Sequence, residues 1–357
     1  MNHELFCNNK KTVIMRKCFI ILLLSGVSLI SNAQSSQDLY LTKPLSNEAI
    51  QNVEASTVGG SIAISGGNNA DARLEVYVRD NRNSALTKEE MKSRIDEDYE
   101  LNINVSNHKL TAVVKQKHQN IKWNKSVSIS YKIFVPENVS TDLSTSGGSI
   151  SLKNVSGTQD FTTSGGSLEV DHVGGKVKGV TSGGSIDLSN SKDDIDLSTS
   201  GGSIEASDCT GKIKLTTSGG SLRLSRMNGD INAITSGGSA KADNIEGALS
   251  IHTSGSSIKL EDLSCSLEAS TSGSDIDVSM KSLGKYIKLS NGGGDIDLKI
   301  PKGNGIDLDL RGRKIRTDSL NNFSGSSDDH HLAGTLNGGG TPVTVDAGNG
   351  AIYLGWR

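Results

Sequence analysis

The sequence predicts an all-β protein: a single-stranded parallel β-solenoid, read as a right-handed β-helix, with 18-residue coils and a small N-terminal β-rich cap containing one short helix. Three observations carry that expectation. Ser-Gly-Gly-Ser recurs at Ser146, Ser164, Ser182, Ser200, Ser218 and Ser236, eighteen residues apart each time, with looser copies at Ser254 and Ser272. Within each unit the apolar residues fall two apart, which is strand alternation and fits no helical period. Composition is the third: among 357 residues there are 41 glycines, 4 prolines and only 4% aromatics. A large round core anchored by rings is therefore disfavoured, and collagen, which needs proline and a Gly-X-Y period, is excluded.

The chain opens with a segment that does not belong to the fold. Met15-Arg16-Lys17-Cys18, the apolar run Phe19 to Leu24 and Ser31-Asn32-Ala33 have the basic, apolar and small-residue parts of a secretory signal peptide. Residues 1–33 are read as that leader, cleaved after Ala33, with 1–14 an extension or an upstream start. The run is too short to span a bilayer, which takes about 20 apolar residues, so an integral membrane protein is not expected. The net charge is −3; removing a leader of +3 leaves a mildly acidic mature chain, which argues against nucleic-acid binding.

Residues 34–145 are read as strands and a cap continuous with the solenoid. Gly59-Gly60-Ser61-Ile62 is an isolated early copy of the repeat. Leu74 to Val78 alternates as a strand, and Thr87 with Glu90 three residues on is a capping box that opens a short helix. Leu101 to Val105, Leu110 to Val114 and Val127 to Val135 read as strands, with Asn107-His108 a hairpin turn. Between that early copy and Ser146 lie five of the aromatics, Tyr77, Tyr99, Trp123, Tyr131 and Phe134.

Residues 146–289 form the regular repeat. Counting each starting serine as position 0, position 4 holds Ile150, Leu168, Ile186, Ile204 and Leu222, and position 13 holds Val177, Ile195, Ile213 and Ile231. These columns, with positions 6, 9 and 15, are the expected core. Each unit is read as two short strands joined by two turns. One turn is at Gly147-Gly148, Gly165-Gly166, Gly183-Gly184, Gly201-Gly202, Gly219-Gly220 and Gly237-Gly238, the other near position 11, where glycine also recurs; both are ascribed to a need for positive φ. Right-handedness follows the general preference of parallel connections, since the columns do not recur every six residues as a left-handed hexapeptide helix requires. Cys209 and Cys265 lie three coils apart, roughly 14 Å at about 4.8 Å per coil, so both thiols are expected free. Residues 290–357 read as irregular coils and a cap: the spacing widens to 20 between Ile276 and Ile296, and Ser324 to His331 is read as a polar loop.

The Thr-Ser-Gly-Gly-Ser-Ile units, with Ile133-Phe134-Val135-Pro136 before them and Asn-Gly-Gly-Gly and Gly-Asn-Gly turns after them, resemble the bacterial putative-adhesin family of exported domains of unknown function. The resemblance covers roughly Val53 to Leu354. It implies a β-solenoid at the cell envelope and an adhesive role, and it brings no catalytic residues.

No phosphate loop, zinc spacing or nucleophile elbow is present, and no catalytic residue, cofactor or firm metal site is assigned. Position 5 faces outward and stacks Glu169, Asp187 and Glu205, with Asp171 nearby. Glu169, Asp171 and Asp187 are the one candidate Ca²⁺ set; the alternative, favoured because the Asp-Xaa-Asp pattern of calcium loops is missing, is a solvated charged face relieved by Arg223 and Lys259. His330-His331 beside Asp328-Asp329 is read as loop rather than metal site. Position 17 is an unbroken threonine ladder, read as an internal row of hydroxyls at a corner.

The functional expectation is a non-catalytic exported protein, periplasmic, at the outer surface or secreted, acting as an adhesin or a binding and structural surface toward a surface glycan or envelope protein. One alternative is an envelope-stress or regulatory interaction module. The other is a polysaccharide-acting β-helix enzyme, disfavoured because no aromatic platform for sugar rings occurs between Thr162 and Lys285.

Overall fold

The computed structural model describes residues 38–81, 86–118, 121 and 125–357. The signal-peptide reading of residues 1–33 and the position of Trp123 lie outside them. The described chain is mostly β, with one α-helix, Lys88–Asp98. No helix among the described residues is long and apolar enough to cross a membrane.

Two ladders of parallel strands run along the chain, consistent with a solenoid. In one, Ile150 pairs with Leu168, Leu168 with Ile186, Ile186 with Ile204 and Ile204 with Leu222, each partner eighteen residues on. In the other, Val177 pairs with Ile195, Ile195 with Ile213 and Ile213 with Ile231. Alternation turns positions 4, 6, 13 and 15 to the same interior, where the apolar side chains are at most 3% exposed. Cys209 and Cys265 are buried free thiols, and burial pushes both up, to about 11 and about 12.

Two core positions that break the apolar columns are resolved by their neighbours. Gln159 is fully buried at position 13; its amide donates to the Val139 carbonyl at 2.7 Å and accepts from Thr141 Oγ1 at 2.6 Å. Gly179 occupies position 15 because the Phe161 ring fills its space: a Cβ there would lie 2.3 Å from Phe161 Cε2.

The corners differ from expectation. The second bend falls at position 8, not 11. Asn154, His172, Asn190, Asp208, Arg226, Asn244 and Asp262 all hold φ between 49° and 57° there, a left-handed conformation that short polar side chains tolerate best. Position 11 lies inside the following strand, where Gly157, Gly175, Gly211, Gly229 and Gly247 have φ from 92° to 131°. The Gly-Gly turn also has a different cause. Neither glycine of the pair has positive φ; the second is required by close approach, since a Cβ on Gly148, Gly166, Gly184, Gly202, Gly220 or Gly238 would sit 2.0–2.2 Å from the carbonyl oxygen of the turn one coil earlier. Nothing in the geometry explains glycine at the first place.

The threonine ladder fastens these turns. Thr163, Thr181, Thr199, Thr217 and Thr235 are buried. Each Oγ1 donates to the second glycine's carbonyl of the preceding turn at 2.7–2.8 Å and accepts from the second glycine's N–H of its own turn at 3.2–3.3 Å. Asn291 takes over the role where the spacing widens: its amide nitrogen donates to the Ser274 carbonyl and its oxygen accepts from Gly293 and Gly294.

At both ends stacking order departs from chain order. The early repeat copy, Ile62–Gly67, lies between Ile150–Lys153 and Val127–Pro136, and Asn52–Thr57 lies between Ser140–Thr145 and Lys109–Gln116. Beyond them the ladders end in antiparallel strands, Tyr99–Ser106 on one and Arg73–Asp80 followed by Asp38–Pro44 on the other. Thr87 caps the helix as a capping box, and Asn107 and His108 make the hairpin turn with φ of 50° and 59°. At the other end Ala351–Trp356 stacks on Ile296–Ile300 and Thr341–Asp346 on Ile287–Ser290, while the earlier Ile306–Arg311 and Lys314–Thr317 lie outside them. The stretch read as a polar loop is instead an edge: Phe323–Ser327 pairs antiparallel with His331–Leu336, and only Asp328 to His330 turn. Its residues after Phe323 are exposed, so no apolar alternation marks it as a strand.

Candidate functional site

Because positions 4 and 6 are buried, position 5 between them points outward, and the register stacks it into one column. Ser151, Glu169, Asp187, Glu205, Arg223, Lys241, Lys259, Asp277 and Asp297 follow one another across successive strands. Three acids are succeeded by three bases and then two acids. The outward column of the other ladder, position 14, behaves differently. It runs Asp160, Lys178, Asp196, Lys214, Asn232, Ser250, Glu268 and Lys288, so opposite charges are neighbours. Lys214 Nζ lies 3.4 Å from Asp196 and Lys288 Nζ 2.9 Å from Glu268. The second column alternates in sign along itself; the first keeps its charges in blocks and pairs them only sideways, Lys259 Nζ with Glu261 at 3.0 Å and Lys299 Nζ with Asp297 at 3.7 Å.

The blocks have an electrostatic cost. Two like charges one strand apart, about 4.8 Å, repel by about 0.9 kcal/mol even at the dielectric of water. Partial burial, then Glu205 and Glu169, raises the Asp187 carboxyl above its ordinary value. Partial burial, then Asp297 and Asp275, does the same to Asp277. The acidic block abuts Arg223 at one end; at the other, Lys153 Nζ lies 2.7 Å from Glu169, and Ser151 Oγ donates to it at 2.9 Å. The Lys153 bond, foremost, holds Glu169 below the usual range.

The three carboxylates considered for calcium are not gathered. Asp171 turns to the corner, where its Oδ1 accepts from Asn190 at 2.9 Å and Ser189 at 2.8 Å and meets His172 Nδ1 at 2.9 Å. These bonds, Asn190's first, lower its pKa. Among the described residues no group of three His, Cys, Asp or Glu side chains is placed to hold a metal ion. The adjacent histidines diverge: His330 Nδ1 faces the Arg313 carbonyl and His331 Nε2 faces Asp309, while Asp328 accepts from both of their backbone N–H groups.

Sequence reasoning missed Lys153 as the partner of Glu169 and missed the alternating column; reading positions 7 and 14 down the repeat finds both. It also missed a cleft at the C-terminal end, between Lys302, Asp318, Asn321 and Trp356, which no spacing signals because the residues come from separate turns.

Two solved structures correspond to most of the chain. One is a putative cell adhesion protein from Clostridium sporogenes ATCC 15579, 13% identical, covering 90% of this chain and 99% of that one, with a TM-score of 0.19. The other is a putative adhesin from Bacteroides fragilis NCTC 9343, 12% identical over the same shares, with a TM-score of 0.24. At these values neither transfers a site or a role. No protein-family model matches the chain, and no curated protein does. Kinship with the putative-adhesin family therefore stays a resemblance carried by the Ser-Gly-Gly-Ser turns.

Proposed function

We propose that this chain is an exported, non-catalytic binding protein in which a right-handed solenoid of 18-residue coils presents one blocked-charge face to a partner, a surface glycan or an envelope protein, in an adhesive role. One observation carries the reading. Position 5 keeps three acids and three bases segregated on fixed, stacked strands, whereas position 14 alternates acid and base from one strand to the next. A soluble scaffold needs only the second pattern; segregated blocks hold like charges together at a cost that a complementary partner removes. Export through residues 1–33 belongs to the same proposal.

The test has two arms. Protease applied to intact cells should cut the chain if it is surface-exposed, and resistance until the outer layer is opened would remove adhesion. Binding of the purified chain to cell-envelope polysaccharide and protein fractions should weaken steeply with salt; salt-independent binding, or none, would sink the charged-face reading.

A further inference from the structure

A second place on the molecule has the chemistry of a ligand site and shares no residue with the charged face. At the C-terminal end, where stacking order departs from chain order, the turns enclose a cleft of about 460 Å³ lined by Trp356, Asp318, Ser319, Asn321, Lys302 and Leu336. That lies within the roughly 300–1,000 Å³ typical of small-ligand sites. Trp356 is only half-buried, and it is held from two sides. Its backbone N–H donates to Asp318 Oδ2 at 3.1 Å, and its indole Nε1 donates to the Ser319 carbonyl at 3.3 Å. Its strand is pinned by register, Trp356 opposite Ile300. The ring is thus positioned before any ligand arrives, which spares the ordering cost of binding.

Around the indole stand polar groups that the fold leaves unengaged. Lys302 is exposed and forms no ion pair among the described residues. Asn321 is exposed with its amide free, and Asp318 uses one carboxylate oxygen, leaving the other. A single aromatic ring beside a carboxylate, an amide and an ammonium matches a pyranose, whose C–H face packs on an indole while its hydroxyls both donate and accept. Lys302 and Asp318 offset each other in charge, which favours a neutral sugar over an acidic one.

We propose that this cleft binds one pyranose unit of a neutral glycan. The site goes beyond the charged-face reading and stands or falls separately from it.

The full chain is screened on an array of neutral and acidic glycans, and the methyl pyranoside of the best hit is titrated in a Trp123→Phe background, where Trp356 is the sole tryptophan. The expected result is neutral-glycan binding with a saturable change in Trp356 emission. Trp356→Ala should weaken it roughly tenfold or more. Because Trp356 also packs on the core, Lys302→Ala and Asn321→Ala, both at exposed turns, serve as variants that spare the fold. Each should weaken binding roughly three- to tenfold, and Asp187→Lys on the charged face should leave it unchanged. The proposal is overturned if no neutral glycan binds, if only acidic glycans bind, if both turn variants bind like the parent, or if Asp187→Lys abolishes binding.

Discussion

Replacing Gly184 by alanine should destabilise the protein far more than replacing Gly183, although the two are adjacent in one turn and neither has positive φ. At Gly184 a Cβ would lie 2.1 Å from the Gly166 carbonyl oxygen, 2.4 Å from its carbon and 2.6 Å from Ser167 N. All three are backbone atoms of the neighbouring coil, so no rotamer change relieves the contact, and the coils must part. Overpacking of that kind costs about 3 kcal/mol. At Gly183 the nearest atom would be the Ser164 carbonyl oxygen at 3.5 Å, ordinary contact. Alanine there restricts the unfolded chain without straining the folded one, a gain of about 0.5 kcal/mol. Urea unfolding followed by circular dichroism measures both, as shifts in midpoint at constant slope. Equal effects of the two substitutions, or a neutral Gly184→Ala, would refute the close-approach account of the turn.

Other expectations follow from the same geometry. Thr199→Val removes the hydroxyl between the Gly184 carbonyl and the Gly202 N–H and should cost about 2 kcal/mol or more by leaving both unpaired, whereas Thr199→Ser should cost much less; urea midpoints decide. Gly179→Ala should destabilise by roughly 1–3 kcal/mol through the Phe161 ring, and Phe161→Leu should rescue part of it, visible as non-additivity in a double-mutant cycle. Asp187 has a folded-state pKa above its unfolded value, so between the two the native state binds more protons and stability falls as pH rises through that window. Asp187→Asn should therefore stabilise by about 0.5 kcal/mol at neutral pH and low salt, solvent screening the exposed carboxylates, and by nothing at a pH below the unfolded value. Glu169 has the opposite sign: its folded pKa is lowered, its contribution is present above the unfolded value and is lost as pH falls through the folded one, and Lys153→Ala should shrink that acid-side loss in thermal melts taken across pH, leaving the part that the Ser151 bond supplies.

Much of the middle of the molecule was legible because one register repeats. Once Ile150, Leu168 and Ile186 fall eighteen apart, every other position is placed by counting, and the position-5 column, the buried threonines and the free cysteines follow. The corner was misplaced because glycine at position 11 is the louder signal. The bend sits on Asn154, Asn190 and Asp208, residue types that suit left-handed backbone, but Arg226 in the same column obscures the pattern. Arg226 holds the place with a bidentate pair to Asp208 one coil earlier, at 2.7 and 2.6 Å. The ends were not legible for a topological reason. Asn52–Thr57 stacks on Ser140–Thr145, eighty-eight residues on by register, and no local periodicity encodes a neighbour at that distance. The cleft beside Trp356 shares that origin, since Lys302, Asp318 and Asn337 meet only after the last strands have stacked out of chain order.

If segregated charge at position 5 is a binding device and alternating charge at position 14 is not, reversing the bases of each face should have different effects. Two charge-reversed variants compare them directly: Arg223→Glu with Lys241→Glu and Lys259→Glu on one face, and Lys178→Glu with Lys214→Glu and Lys288→Glu on the other. Binding of each to purified cell-envelope fractions is measured across salt concentration. The first variant should lose at least roughly tenfold in affinity and most of its salt dependence, while the second should bind like the parent. Equal losses from both variants, or no loss from the first, would contradict the charged-face reading.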